Sequence, residues 1–151
     1  MKAKGALTIL ICALMLGSSG SIFAADTTPT RSDIVTSIQS QYNPLFDSQY
    51  ARLVAIKKKV SLDAGTLRSY KALLVDFLDV RRIIDTGLAS STSDLDALKS
   101  YAEEETGEFE SSISAVEMVA AKIRTITCTK AKVVKKVSGL ALKCPKGYQK
   151  K

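Results

Sequence analysis

Histidine is absent from this chain of 151 residues, and cysteine occurs three times. Without histidine, the Ser-His and Cys-His nucleophile pairs and the usual zinc sites are excluded together. Acidic residues are missing from the whole stretch after Glu117. Period-two alternation of apolar and polar residues, the mark of a half-buried strand, is missing through the middle of the chain. No catalytic motif is present either. These absences point away from an enzyme and towards a structural or binding role without a cofactor.

What is present begins with "MKAKGALTILICALMLGSSGSIFAADTTPT". Lys2 and Lys4 make a short positive region, Ala6 to Leu16 an apolar run, and Ile22 and Ala24 occupy the positions a signal peptidase reads. The run falls short of the roughly 20 apolar residues that cross a bilayer, and Gly17 to Ser21 interrupts it. Residues 1–24 are therefore read as a cleavable export signal, cut after Ala24. Cys12 follows Ile11 rather than a small residue, which does not suit a lipoprotein cleavage site.

Cleavage leaves Cys128 and Cys144. An even count in an exported chain favours a disulfide, and with no nearby carboxylates two thiols do not make a four-ligand zinc site. The formal charge of +7 falls to +5 once Lys2 and Lys4 are removed with the leader. That charge is unevenly spread. Residues 25–127 hold 12 basic and 15 acidic residues, a balance of −3, whereas residues 128–151 carry +8. The eight are Lys130, Lys132, Lys135, Lys136, Lys143, Lys146, Lys150 and Lys151.

After a polar lead-in, residues 25–32, apolar residues recur at helical spacing over residues 33–125. The first seam runs Ile34, Ile38, Tyr42, Leu45, Leu53, Ile56 and Val60. Asn43-Pro44 either separates a short helix from a longer one or kinks a single helix. Gly65 reads as a stop, with Thr66 as a cap for the second helix. The second seam, Leu67, Tyr70, Leu74, Phe77, Arg81, Ile84 and Leu88, alternates steps of three and four. Ser93 and Asp96 have capping-box spacing for a third helix. Its seam is Leu95, Leu98, Ala102, Phe109, Ile113, Val116, Ala120 and Ile123. Three such helices with short connections predict an elongated antiparallel three-helix bundle, packed like a coiled coil.

The acidic run "EEETGEFE" at 103–110 lacks the alternation of a calcium loop and reads as a solvated helix face, near Arg81 and Arg82 of the second helix. Lys57-Lys58-Lys59 reads as a polar helix end. From Thr125 the pattern changes. Thr, Ile and Val dominate, predicting two short strands about Lys130–Lys132, a β-hairpin stapled by Cys144 folding back on Cys128. Pro145 and Gly147 then end regular structure.

The sequence of this tail, residues 126–151, "ITCTKAKVVKKVSGLALKCPKGYQKK", resembles a short C-terminal tail of exported, mostly uncharacterised actinobacterial proteins. The residues that match are Ile126, Thr127, Cys128, Lys130, Lys132, Lys135, Lys136, Val137, Lys143, Cys144, Pro145, Gly147, Tyr148, Lys150 and Lys151. Where such tails often carry glycine between the first two lysines, this chain has Ala131. The resemblance covers about 26 residues, implies a shared exported and envelope-associated tail, and brings no assigned activity. Charge alone suggests the partners: anionic wall polymers or lipid head groups, with nucleic acid held through phosphates only and no specific readout. Two further possibilities are a homo-oligomer formed through the helical seams and a secreted helical module that binds a protein or small ligand.

Overall fold

A computed structural model describes residues 28–151; the expected export signal and its expected cleavage after Ala24 lie outside the described residues. Three helices carry the chain from α1 (Arg31–Val60) through α2 (Ala64–Ala89) to α3 (Leu95–Lys122). Three strands follow: β1 (Arg124–Lys130), β2 (Val133–Gly139) and β3 (Gln149–Lys150). The predicted mainly α bundle with a disulfide-linked hairpin is the observed fold. No described helix is long and apolar enough to cross a membrane.

Each helix start is fixed by a side chain that satisfies amide groups no intrahelical carbonyl reaches. Thr30 and Asp33 cap α1 reciprocally, a capping box. Asp63 caps α2 and Asp94 caps α3. The starts of α2 and α3 differ from the sequence expectation. Thr66 sits inside the first turn of α2, its hydroxyl donating to Asp63, and Gly65 lies within the helix rather than ending its predecessor. Asp94, not Ser93, accepts the amides of Asp96 and Ala97, because its carboxylate reaches both from the position next to the helix. Pro44 lies inside one continuous α1, so the two-helix alternative does not occur.

Contacts define the directions. Arg31 at the start of α1 donates to the carbonyls of Ser90 and Ser93, at the end of α2 and in the loop after it. Arg81 pairs with Asp47, so α2 runs antiparallel to α1. Arg52 reaches Glu110 and Glu117, so α3 runs parallel to α1. The expected approach of Arg81 and Arg82 to Glu103 and Glu104 is not found. Arg82 pairs along its own helix with Asp79, and the closest acid to Arg81 lies on α1.

The seams meet inside the bundle. At mid-height each helix supplies one phenylalanine: Phe77 meets Phe46 at 5.8 Å and Phe109 at 5.0 Å between ring centroids, both edge-on. Burying such a ring contributes about 1.5–3 kcal/mol, and an edge-on pair about 0.5–1.5 kcal/mol more. Beside them lies a polar layer, where the buried Gln49 Nε2 donates to the Thr106 carbonyl at 2.8 Å. Leu45, placed on the seam by its spacing, is 47 % exposed, and Phe46 next to it is 1 % exposed. Gly87 brings α2 and α3 together, since a Cβ there would stand 2.9 Å from Leu98 Cδ2.

Candidate polyanion-binding surface

The tail begins where α3 ends. Ile123, almost wholly buried, turns the chain directly into β1. The strand "RTITCTK" is rich in β-branched residues, which suit a pleated surface. β1 lies in the middle of the sheet, with β2 on one side and β3 on the other, both antiparallel. The third strand goes beyond the expected hairpin. After Pro145 the Tyr148 amide closes a turn on the Pro145 carbonyl, Gly147 takes φ +81°, and Gln149–Lys150 then pairs with Thr129 and Cys128.

Cys128 is fully buried and bonded to Cys144, with 5.7 Å between Cα atoms. A loop of this length contributes roughly 3 kcal/mol by restricting the unfolded chain. That offsets the small core, because a short sheet has little apolar area to bury. The hairpin loop is Ala131-Lys132, between the paired Lys130 and Val133. Ala131 has φ +51°, a left-handed conformation that glycine adopts with less cost.

The strand register decides where the lysines go. Lys136 stands opposite Thr127, Lys135 and Lys150 flank Cys128, and Lys130 closes the hairpin. The rungs nearest the helices, Arg124–Gly139, Thr125–Ser138 and Ile126–Val137, carry no lysine. Lys143 adjoins Cys144, and Lys146 adjoins Gly147, which lies against the Lys130 side chain. The lysines thus surround the outer part of the sheet. They do not share one face: Lys135 and Lys136 alternate to opposite sides, as neighbours in a strand must.

Nothing acidic offsets them. The tail contains no Asp or Glu, and the ion pairs among the described residues all join helical side chains. The Lys135 ammonium lies 5.0 Å over the Tyr148 ring, a cation–π contact that covers the tail's single aromatic. Two further features have no signal in the sequence pattern. Val133 and Val134 at the hairpin tip are 52 % and 62 % exposed. At the other end of β2, Asp63 Oδ2 accepts the Leu140 amide at 3.3 Å and ties sheet to bundle. The Thr66 amide and hydroxyl, then the Leu140 amide, hold the Asp63 carboxyl below the usual range. Beside this tie a cleft of about 310 Å³ opens between α2, α3 and Leu140, lined by Asp63, Thr66, Ser69 and Val119.

The acidic run on α3 is divided. Glu110 joins the Arg52 network, and Arg52 holds its carboxyl, like that of Glu117, below the ordinary value. Glu105 is pushed up, first by burial and then by the like charges of Glu108, Asp76 and Glu104. Among the described residues, no group of three or more metal-ligating side chains is placed to hold an ion. Scans against protein-family models, curated proteins and solved structures each found no match.

Proposed function

We propose that the chain is an exported, non-enzymatic structural or adaptor protein of the cell envelope, whose basic sheet attaches to an anionic surface. The observation that carries this reading is the strand register, which sets unopposed lysines around the outer part of a stapled sheet. The 28-residue α3 gives a helical body about 42 Å long at 1.5 Å per residue, a spacer between that sheet and the opposite end. Near an anionic bilayer each lysine contributes about 1 kcal/mol, so several acting together hold the protein at low salt. Nucleic acid would engage the same lysines through phosphates, but the tail's single aromatic, Tyr148, already has Lys135 over its ring, which leaves little for bases to stack on.

A second reading has its own support. The seam cleft at Asp63 and Leu140, together with the exposed Tyr50 and Leu78 that line a groove with Phe77 and Arg81 between α1 and α2, suits a helical module that binds a protein or small ligand. There the tail only keeps the protein soluble or serves as a processing tag. Cell fractionation separates the two readings. The adaptor sediments with the envelope at low salt and leaves it as washes become more saline; a protein found wholly in the medium at low salt excludes the adaptor reading.

A further inference from the structure

The lysines account for attraction to anions, but not for the two adjacent valines at the outermost turn. Val133 and Val134 follow the loop Ala131-Lys132 and leave 52 % and 62 % of their surface in water. Val133 pairs with Lys130 and Val134 with Thr129, so the two side chains leave opposite faces of the hairpin and cap its end. Lys130, Lys132 and Lys136 surround them in sequence and register. At about 3.4 Å per residue, the tip stands roughly 20 Å beyond the rung of Arg124, where the sheet leaves the bundle. Residues 130–136 around it are all exposed.

An apolar point ringed by cations at the end of a molecule matches the layered chemistry of an anionic bilayer. The phosphates lie at the surface, with acyl chains a few ångströms below. Lysine stems run along apolar surface while their ammonium groups stay at phosphate level. A soluble phosphate polymer has no such apolar layer, so it would use the lysines and leave the valines in water. Resting on the reading of the sheet as an anion-binding end, we propose that its hairpin tip docks on an anionic phospholipid bilayer. Val133 and Val134 enter the boundary between head groups and acyl chains, and Lys130, Lys132 and Lys136 hold the phosphates. The depth is limited by β2, whose outer edge is unpaired in the β2-β1-β3 sheet. Its backbone amides and carbonyls must stay hydrated, so the strand itself stops at head-group level.

The chain contains no tryptophan, so Val134→Trp places a single reporter at the tip. The protein is prepared from Ala25 onward, which keeps every described element and removes the apolar leader. It is mixed with vesicles of phosphatidylglycerol and phosphatidylcholine, with vesicles of phosphatidylcholine alone, and with soluble polyphosphate. Docking predicts a blue shift of the Val134→Trp emission, with quenching by lipids brominated near the glycerol, on anionic vesicles only. The double variant Val133→Ser/Val134→Ser, with its thiols still oxidised, binds those vesicles about tenfold more weakly, as expected for losing two partly buried valines. Vesicle binding without a blue shift and without loss in the double variant overturns the tip proposal and leaves the charged surface standing. Binding to polyphosphate but not to vesicles likewise overturns the tip and spares the charged surface. Binding to neither overturns both.

Discussion

Ala131→Gly tests the hairpin at its least favourable backbone position. Ala131 holds φ +51° as the first residue of a two-residue loop. An L-residue with a Cβ pays roughly 1–2 kcal/mol in the left-handed region, and glycine avoids that cost. Glycine also loses more backbone freedom on folding, about 0.5–1 kcal/mol. The difference favours glycine by about 0.5–1 kcal/mol. Thermal melting of the whole protein would miss this gain. The contacts between sheet and bundle include the Leu140 amide on Asp63 and the buried Ile123, and local opening of the sheet need not unfold the helices. Amide hydrogen exchange reads the local opening instead. With tenfold corresponding to about 1.4 kcal/mol, exchange of the cross-strand β1–β2 amides should slow about two- to fivefold in Ala131→Gly. Amides in the middle of α1 should not change. Equal or faster exchange in the sheet would refute a left-handed Ala131, and with it the two-residue loop that sets the lysine register.

Three other outcomes follow from the body. A Cβ at Gly107 would meet nothing within 4 Å, so Gly107→Ala should stabilise α3 by about 1 kcal/mol in denaturant titration. Arg52 joins Glu110 and Glu117 at 2.6 and 2.7 Å while partly exposed, so Arg52→Ala should cost about 1 kcal/mol at low salt and less at high salt, given solvent screening. The Asp63 carboxyl is held below its ordinary value, so its stabilisation is complete at neutral pH and is lost as the pH falls through the carboxylate range. Asp63→Asn should therefore unfold more easily than the wild type at neutral pH and equally easily in strong acid; a constant difference across a pH series of melts contradicts the assignment.

The helical seams were legible wherever apolar residues marked every step of three or four. The apolar spacing points to the wrong neighbour where a polar side chain fills a core position. From Tyr42 the buried line passes through Phe46 and Gln49 to Leu53, and the polar Gln49 made Leu45 look like the better step. On α3 the seam keeps both Ala102 and Phe109, and the buried Thr106 is the polar position between them that apolar spacing steps over. These two interruptions face each other, Gln49 donating to the Thr106 carbonyl, a pairing that no single-helix pattern contains. Caps were ambiguous because Asp63 and Thr66, or Ser93 and Asp94, are all competent residue types, and only the final backbone decides which oxygen reaches the amides. In the tail, composition was enough for two strands and the Cys128–Cys144 bridge. β3 was invisible, since two residues show no periodicity and their pairing depends on the bridge that brings Cys144 back to β1. The charge of the lysines could be counted in advance, but their gathering beyond the Ile126–Val137 rung required the register.

The most direct test compares the chain from Ala25 to Lys151 with one ending at Ile123, which keeps all three helices and removes the sheet. Both are titrated onto isolated cell envelopes across a salt series. An anion-binding sheet predicts salt-sensitive binding by the longer chain and none by the shorter, with equal helical circular dichroism. Envelope binding that survives removal of the sheet, with the same salt dependence, would contradict it.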